Sequence, residues 1–196
     1  KLDCPDFNCL NNRLNFTEGT LMPETYFYNF NSPASNILIK SQDSFIEYAE
    51  LLWEKKQPSN PLKTLDEAII LASIVEKEAG NNKEKPIIAG VFLNRLNLNM
   101  RLQADPTIIY GLLPNFNGNI TKLNLQDSSN RYNTYKIKGL PPTPIAMISK
   151  SSLEAVILGI PNSYVYFVAK GDGTHYFSTK YAEHLKAVKK FQLNKS

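Results

Sequence analysis

The chain has 196 residues, 42% of them hydrophobic and 20% charged, with 12 Pro against 9 Gly. That suits one domain with its own core and excludes a disordered, collagen-like or coiled-coil protein. The 22 Lys and Arg against 18 Asp and Glu leave a charge of +4, well short of the dense basic patches of nucleic-acid binders.

No apolar run is long enough to cross a bilayer, and no signal-peptide segment precedes the polar Lys1; a membrane anchor, if the protein has one, is expected upstream of these residues. Cys4 and Cys9, the only cysteines, are spaced either to close a small disulfide loop or to stay as two thiols. They lack the His and Cys company of a zinc site.

Residues 1–33, rich in Asn, Thr, Pro and aromatics such as Phe16, Tyr26, Phe27, Tyr28 and Phe30, read as an extended arm packed on the body. Helical spacing of Ile37, Leu38, Phe45, Ile46, Ala49 and Leu52 predicts a helix over 35–56, stopped by Pro58 and Pro61. A second helix is expected over 64–79, with Thr64 and Glu67 as a capping box and Gly80 as its stop. A third is expected over 83–96.

From 97 to 144 the chain is Asn-rich and irregular, apart from a short helix at 106–112 with Asp105 as N-cap and Pro106 in first position. Such a long irregular stretch within a domain is a mark of function. Residues 151–159 read as a short helix. The runs 164–169 and 174–178 around Lys170-Gly171-Asp172-Gly173 read as a β-hairpin, and 179–192 as a terminal helix. The fold class is therefore α+β: a single, mainly helical domain with a β-hairpin and long irregular loops lining a cleft.

The second helix carries the most informative segment. At about 100° per residue, Leu71, Ile74, Val75 and Glu78 share one face, and Glu76 turns roughly 200° away, toward Ala72 and Ser73. A carboxyl continuing an apolar stripe loses hydration, and its pKa rises toward the range of a general acid. The competing reading is a solvated glutamate in a frayed last turn. No Gly-rich phosphate loop, His-Glu-x-x-His or Gly-x-Ser-x-Gly occurs, and His175 and His184 are the only histidines. His184 reads as a surface residue of the terminal helix. His175, on a strand, can face core or cleft, and the pattern alone favours a structural role. No metal site is expected. Amides and phenols in the runs 100–110 and 131–135 suit a saccharide, although each is equally at home as a cap, a core plug or a turn.

Taken in order, Glu18-Gly19 with Pro23-Glu24-Thr25-Tyr26, Ala72-Ser73-Ile74-Val75-Glu76-Lys77-Glu78, Val91-Phe92-Leu93-Asn94-Arg95-Leu96, Leu102-Gln103-Ala104-Asp105-Pro106-Thr107, Tyr132-Asn133-Thr134-Tyr135, Gly139-Leu140-Pro141-Pro142 and Tyr166-Phe167-Val168-Ala169 resemble the MltG (YceG-like) family of endolytic murein transglycosylases. The resemblance implies a lyase that cuts the β-1,4 bond between N-acetylmuramic acid and N-acetylglucosamine inside glycan strands. It leaves 1,6-anhydro ends and terminates or releases nascent strands. It needs no cofactor.

On that resemblance Glu78 is the catalytic glutamate, acting as acid and then as base. Gln103, Asp105, Tyr132, Asn133, Tyr135 and His175 bind the substrate; Asn94 and Arg95 support them, and Glu76 is a fallback acid or a loop tie. The partners implied are peptidoglycan strands and peptidoglycan synthases, with no nucleic acid. The implied place is the outer side of the bacterial cytoplasmic membrane. Residues 1–16 would be an N-terminal remnant and 17–196 the catalytic domain, a single-pass anchor and a LysM-like domain lying upstream. A water-using muramidase and a non-catalytic peptidoglycan-binding module are the alternatives. Local departures from the family pattern, at Glu24, at Thr143 and at Met147-Ile148-Ser149, bear on the loop after Pro142 and leave Glu78 untouched.

Overall fold

The computed structural model describes residues 16–159 and 162–193; Cys4 and Cys9 lie outside them. Among these residues, seven α-helices and one antiparallel hairpin follow in the order α1 (Ala34–Trp53), α2 (Leu65–Glu78), α3 (Lys85–Asn97), α4 (Asp105–Leu112), α5 (Lys122–Gln126), α6 (Lys150–Leu158), β1 (Tyr166–Ala169), β2 (His175–Ser178) and α7 (Tyr181–Val188), whose end continues as a π-helical turn, Lys189–Leu193. The architecture is α+β in a single domain, as the sequence predicts.

Helix α2 is the centre of the core. It packs against α3 and α6, with α1 and α4 at its flanks. Leu71, Ile74 and Val75 are fully buried, as their stripe requires, with Ala68 in line with them, but so are Ala72 and Ser73 on the other side. A helix covered on two faces is apolar nearly all round, so the 71/74/75/78 stripe is one of two buried faces, and Glu76 lies at the end of the second. Helix α1 presents Phe45, Ala49 and Leu52 to the core, while Ile46 of the predicted apolar set is 43% exposed. The arm divides similarly. Phe16, Leu21 and Met22 are buried, whereas Phe27 and Phe30 are more than 90% exposed and do not pack on the body.

Helix starts depart from expectation in informative ways. The Thr64 hydroxyl accepts from the Glu67 amide at 3.2 Å, but the Glu67 carboxylate reaches back past Thr64 to the Lys63 amide, so the box is one residue wider than predicted. Asp105 is not a cap: α4 starts at Asp105 itself after an uncapped Ala104, leaving the carboxylate free for other work. A true capping box stands instead at α5, where Thr121 and Asn124 exchange side-chain and backbone bonds. Five residues are too few for a periodic signal, and Asn in place of Glu or Gln hides the motif.

Gly80 ends α2 for a reason other than a left-handed turn. A Cβ there would lie 2.8 Å from the Gly173 carbonyl oxygen, so the glycine admits the tip of the hairpin against the α2–α3 loop. The Asn81 side-chain amide donates to the same carbonyl at 3.2 Å. The hairpin pairs Tyr166 with Ser178 and Ala169 with His175. It is anchored to α3 by an edge-on contact of Phe167 with the fully buried Phe92, at 5.7 Å between ring centres, and α7 packs across it.

Candidate active site

Where the C-terminal end of α2, the start of α4, the hairpin and α7 meet, they enclose a cavity of about 450 Å³. One wall carries Glu78, Arg95, Gln103, Asp105 and Tyr135, and the hairpin contributes Tyr166 to Ala169 with His175. The opposite wall is Tyr181, His184, Val188 and Gln192.

Glu78 closes the last turn of α2 and accepts no hydrogen bond from the described residues. Burial, and then the negative charge of Asp105, push its pKa up from the ordinary carboxyl range to about 8; the nearby Arg95 pulls the other way and loses. A carboxyl in that state is protonated at neutral pH and can give its proton away.

Glu76 is its opposite. Its carboxylate takes bonds from the Ser149 and Ser152 hydroxyls and the Ser149 amide at the start of α6, and from the Lys85 ammonium at 3.1 Å. Burial alone would raise its pKa, but these bonds outweigh it and bring the value down to about 2. Glu76 lies outside the cavity lining and ties α2 to α3 and α6; Lys77 is exposed.

Arg95 is 7% exposed and works by stitching. Its Nε donates to the Val165 carbonyl at 2.7 Å and its Nη1 to the Leu102 carbonyl at 2.7 Å and the Gln103 side-chain oxygen at 3.4 Å. Asn94 does the same one residue earlier, donating to the Asn162 and Tyr164 carbonyls. Gln103 has φ of 51°, a left-handed conformation costing about 1 kcal/mol or more in a residue with a Cβ. It persists because Arg95 holds its side chain and the Thr134 carbonyl holds its amide at 3.2 Å. The Tyr135 hydroxyl donates to Asp105 at 2.7 Å; burial, then that carboxylate, raise the pKa of the phenol and keep it a donor.

Of the sequence-derived site residues, Glu78, Arg95, Gln103, Asp105, Tyr135 and His175 meet in the cavity, while Glu76, Asn94, Tyr132 and Asn133 do not line it. Asn133 is fully buried. Its amide gathers the carbonyls of Asn124, Leu125 and Asp127, and its oxygen accepts from the Tyr135 amide. It shapes the loop that delivers Tyr135. Tyr132 packs on Tyr110 at 4.8 Å and shares a hydrogen bond with Thr143.

The far wall is what sequence reading missed. His184, expected at the surface, is half-buried and lines the cavity: its ring stacks on Tyr166 at 5.2 Å, with the Arg95 guanidinium over the same tyrosine at 5.5 Å. Burial, then the charge of Arg95, lower its pKa, so the ring is neutral at neutral pH. Tyr181, His184, Val188 and Gln192 recur at three- and four-residue steps, so they were legible as one helix face. Their polarity disguised it. No group of three His, Cys, Asp or Glu among the described residues is arranged to hold a metal.

The family model of the YceG-like family matches residues 5–190 of this chain. A Bacillus subtilis protein named endolytic murein transglycosylase is 35% identical over 185 residues, covering 91% of this chain and 49% of that protein. A Streptococcus pneumoniae protein of the same name is 30% identical over 172 residues, covering 85% and 31%. The crystal structure of a YceG-like protein from Listeria monocytogenes superposes with a TM-score of 0.73 at 35% identity, covering 86% of this chain and 54% of that one. The chain thus spans about half the length of the Bacillus relative and about a third of the streptococcal one. With a family match over nearly the whole chain and a shared fold at 35% identity, the chain belongs to the YceG-like family.

Proposed function

We propose that this domain is an endolytic murein transglycosylase, and that Glu78 is its general acid and then its base. The observation that carries the reading is the Glu78 carboxyl, with no hydrogen-bond partner among the described residues and its pKa raised by burial and by Asp105, at the wall of a cavity lined by amides and aromatic rings. Glu78 protonates the glycosidic oxygen, the bond to the muramyl C1 breaks, and positive charge develops at C1. The carboxylate then takes the proton from the muramyl C6 hydroxyl as that oxygen closes on C1. The nucleophile is tethered to the reacting sugar, so no second carboxylate has to activate water. Asp105, beside Glu78 and held by Tyr135, contributes negative charge that favours the oxocarbenium-like state. Gln103, Tyr135 and His175 bind the sugars. Asn94, Arg95 and Asn133 hold these groups in place, and Tyr132 extends the binding surface toward the Tyr110 and Thr143 side.

The names of the relatives support murein as the substrate and an extracytoplasmic place of action. Termination or release of nascent strands, synthase partners, a single-pass anchor and the division into a remnant at 1–16 and a catalytic domain at 17–196 complete the reading for the whole protein.

Asp105 also favours a second reading, because two carboxyls in one cavity are what a water-using muramidase employs. Mass spectrometry of digested murein decides between them. Anhydro-muramyl ends, lighter by one water than reducing ends, are expected; reducing ends would establish the muramidase, and intact strands with retained binding would leave only a binding module. Glu78→Gln is expected to lower cleavage by about a thousandfold or more with the fold intact, and a fully active variant would remove Glu78 from the mechanism.

A further inference from the structure

Glu84 belongs to no motif and lies outside the cavity lining, yet it grips a residue inside it. It stands at the start of α3, six residues beyond Glu78. One of its carboxylate oxygens accepts from the His175 backbone amide at 3.0 Å, and the other lies 2.8 Å from His175 Nδ1. Both side chains are nearly enclosed, at 10% and 13% exposure. Phe167 meets the imidazole edge-on at 5.4 Å, with Phe177 at 6.1 Å, so the ring has little freedom to turn.

A carboxylate only accepts hydrogen bonds, so the Nδ1 that faces it is the nitrogen that carries the proton, and in that imidazole tautomer Nε2 is bare. No described residue bonds to Nε2, and His175 lines the cavity. A bare ring nitrogen there is an unused acceptor in a cavity where the Asp105 carboxylate already accepts from Tyr135 and the Gln103 oxygen from Arg95. A saccharide offers hydroxyl and acetamido N–H donors that need such an acceptor.

We infer that Glu84 is a positioning residue that locks His175 in the Nδ1-protonated form, so that Nε2 accepts a hydrogen bond from a hydroxyl or acetamido N–H of the bound glycan. This rests on the reading of the cavity as a saccharide site. Glu84→Gln is the discriminating change. Its amide oxygen can still accept from the His175 backbone, but its NH₂ now faces Nδ1 as a donor, which reverses the tautomer and turns Nε2 into a donor.

The test uses the whole chain in a Glu78→Gln background, where strands bind without being cut. Long-range proton–nitrogen NMR reads the histidine tautomers, the spectrum of a His184→Phe variant assigning the two rings, and calorimetry with purified uncrosslinked glycan strands reads affinity. Expected are a bare Nε2 at His175 whose resonance moves when strands bind, reversal of the tautomer in Glu84→Gln, and about tenfold weaker binding with an unchanged circular dichroism spectrum. An Nε2 that stays unmoved at saturation, or an unchanged tautomer or affinity in a folded Glu84→Gln, overturns the inference. The first of these readings needs no variant at Glu84. Failure of the Glu78→Gln protein to bind any strands would remove the saccharide reading and this inference together, whereas binding with an unmoved Nε2 removes this inference alone.

Discussion

Glu76 and Glu78 stand two positions apart on one helix, and their surroundings drive their protons in opposite directions. Glu78 has a folded-state pKa near 8 against an unfolded value of 4.5, so the native state holds a proton that the unfolded chain gives up between those values. Its contribution to stability therefore falls as pH rises from about 4.5 to 8. Glu78→Gln should leave stability unchanged near pH 4 and raise it by on the order of 2–4 kcal/mol at pH 9, read from urea denaturation at both pH values. Glu76 runs the other way. Its folded pKa near 2 lies below 4.5, so it stabilises above about pH 4.5 and the benefit fades as pH falls toward 2. Glu76→Gln should cost about 2–3 kcal/mol at pH 7, because Lys85, 4% exposed, loses its carboxylate, and the difference should vanish near pH 2. The proposed acid step adds a kinetic signature: kcat/KM should decline as pH rises through about 8. Asp105→Asn should move that limb to lower pH, since it removes a charge that raises the Glu78 pKa.

At the scale of elements, the hairpin and the α2–α3 loop form one device. The Gly80–Gly173 contact brings the tip of the hairpin within reach of Asn81 and Glu84, and so fixes His175 relative to Glu78. Gly80→Ala would drive a methyl into the Gly173 carbonyl. It should cost about 1–3 kcal/mol and reduce cleavage more than a stability loss of that size explains, because the displaced strand carries a wall of the cavity; thermal melts and turnover on the same preparation compare the two effects. Sequence periodicity located α2 because Leu71, Ile74 and Val75 form a regular buried stripe along it. It placed Glu78 for the same reason, since helical rotation alone sets it in line with Leu71, Ile74 and Val75. Whether Gly80 serves as a helix stop or as a seat for another segment is decided by a partner 93 positions away, which no local pattern encodes. Asp105 likewise reads as a cap by rule and becomes a cavity residue only because Tyr135 reaches it across the fold. Asn133 is the converse: a polar residue within a family motif whose four bonds all go to neighbouring backbone.

At the scale of the molecule, the cavity joins positions as distant as Glu78 and Gln192 and the core joins α2 to α6, more than 70 positions on, whereas each helix is closed by bonds within itself. Closing long loops is entropically slow relative to local helix formation. The two parts of the structure should therefore not mature together: after dilution from denaturant, the helical circular dichroism signal is expected to return before cleavage activity, and simultaneous recovery in a single phase would contradict that order. A chain whose helices have assembled but whose α7 has not yet docked lacks the Tyr181, His184, Val188 and Gln192 side of the cavity that Glu78 lines. The enclosure by α7 thus doubles as a proof of completion. On the proposed mechanism the whole cavity exists only when the last wall is in place, so a half-folded copy of this domain carries Glu78 without the surface that would hold a strand against it.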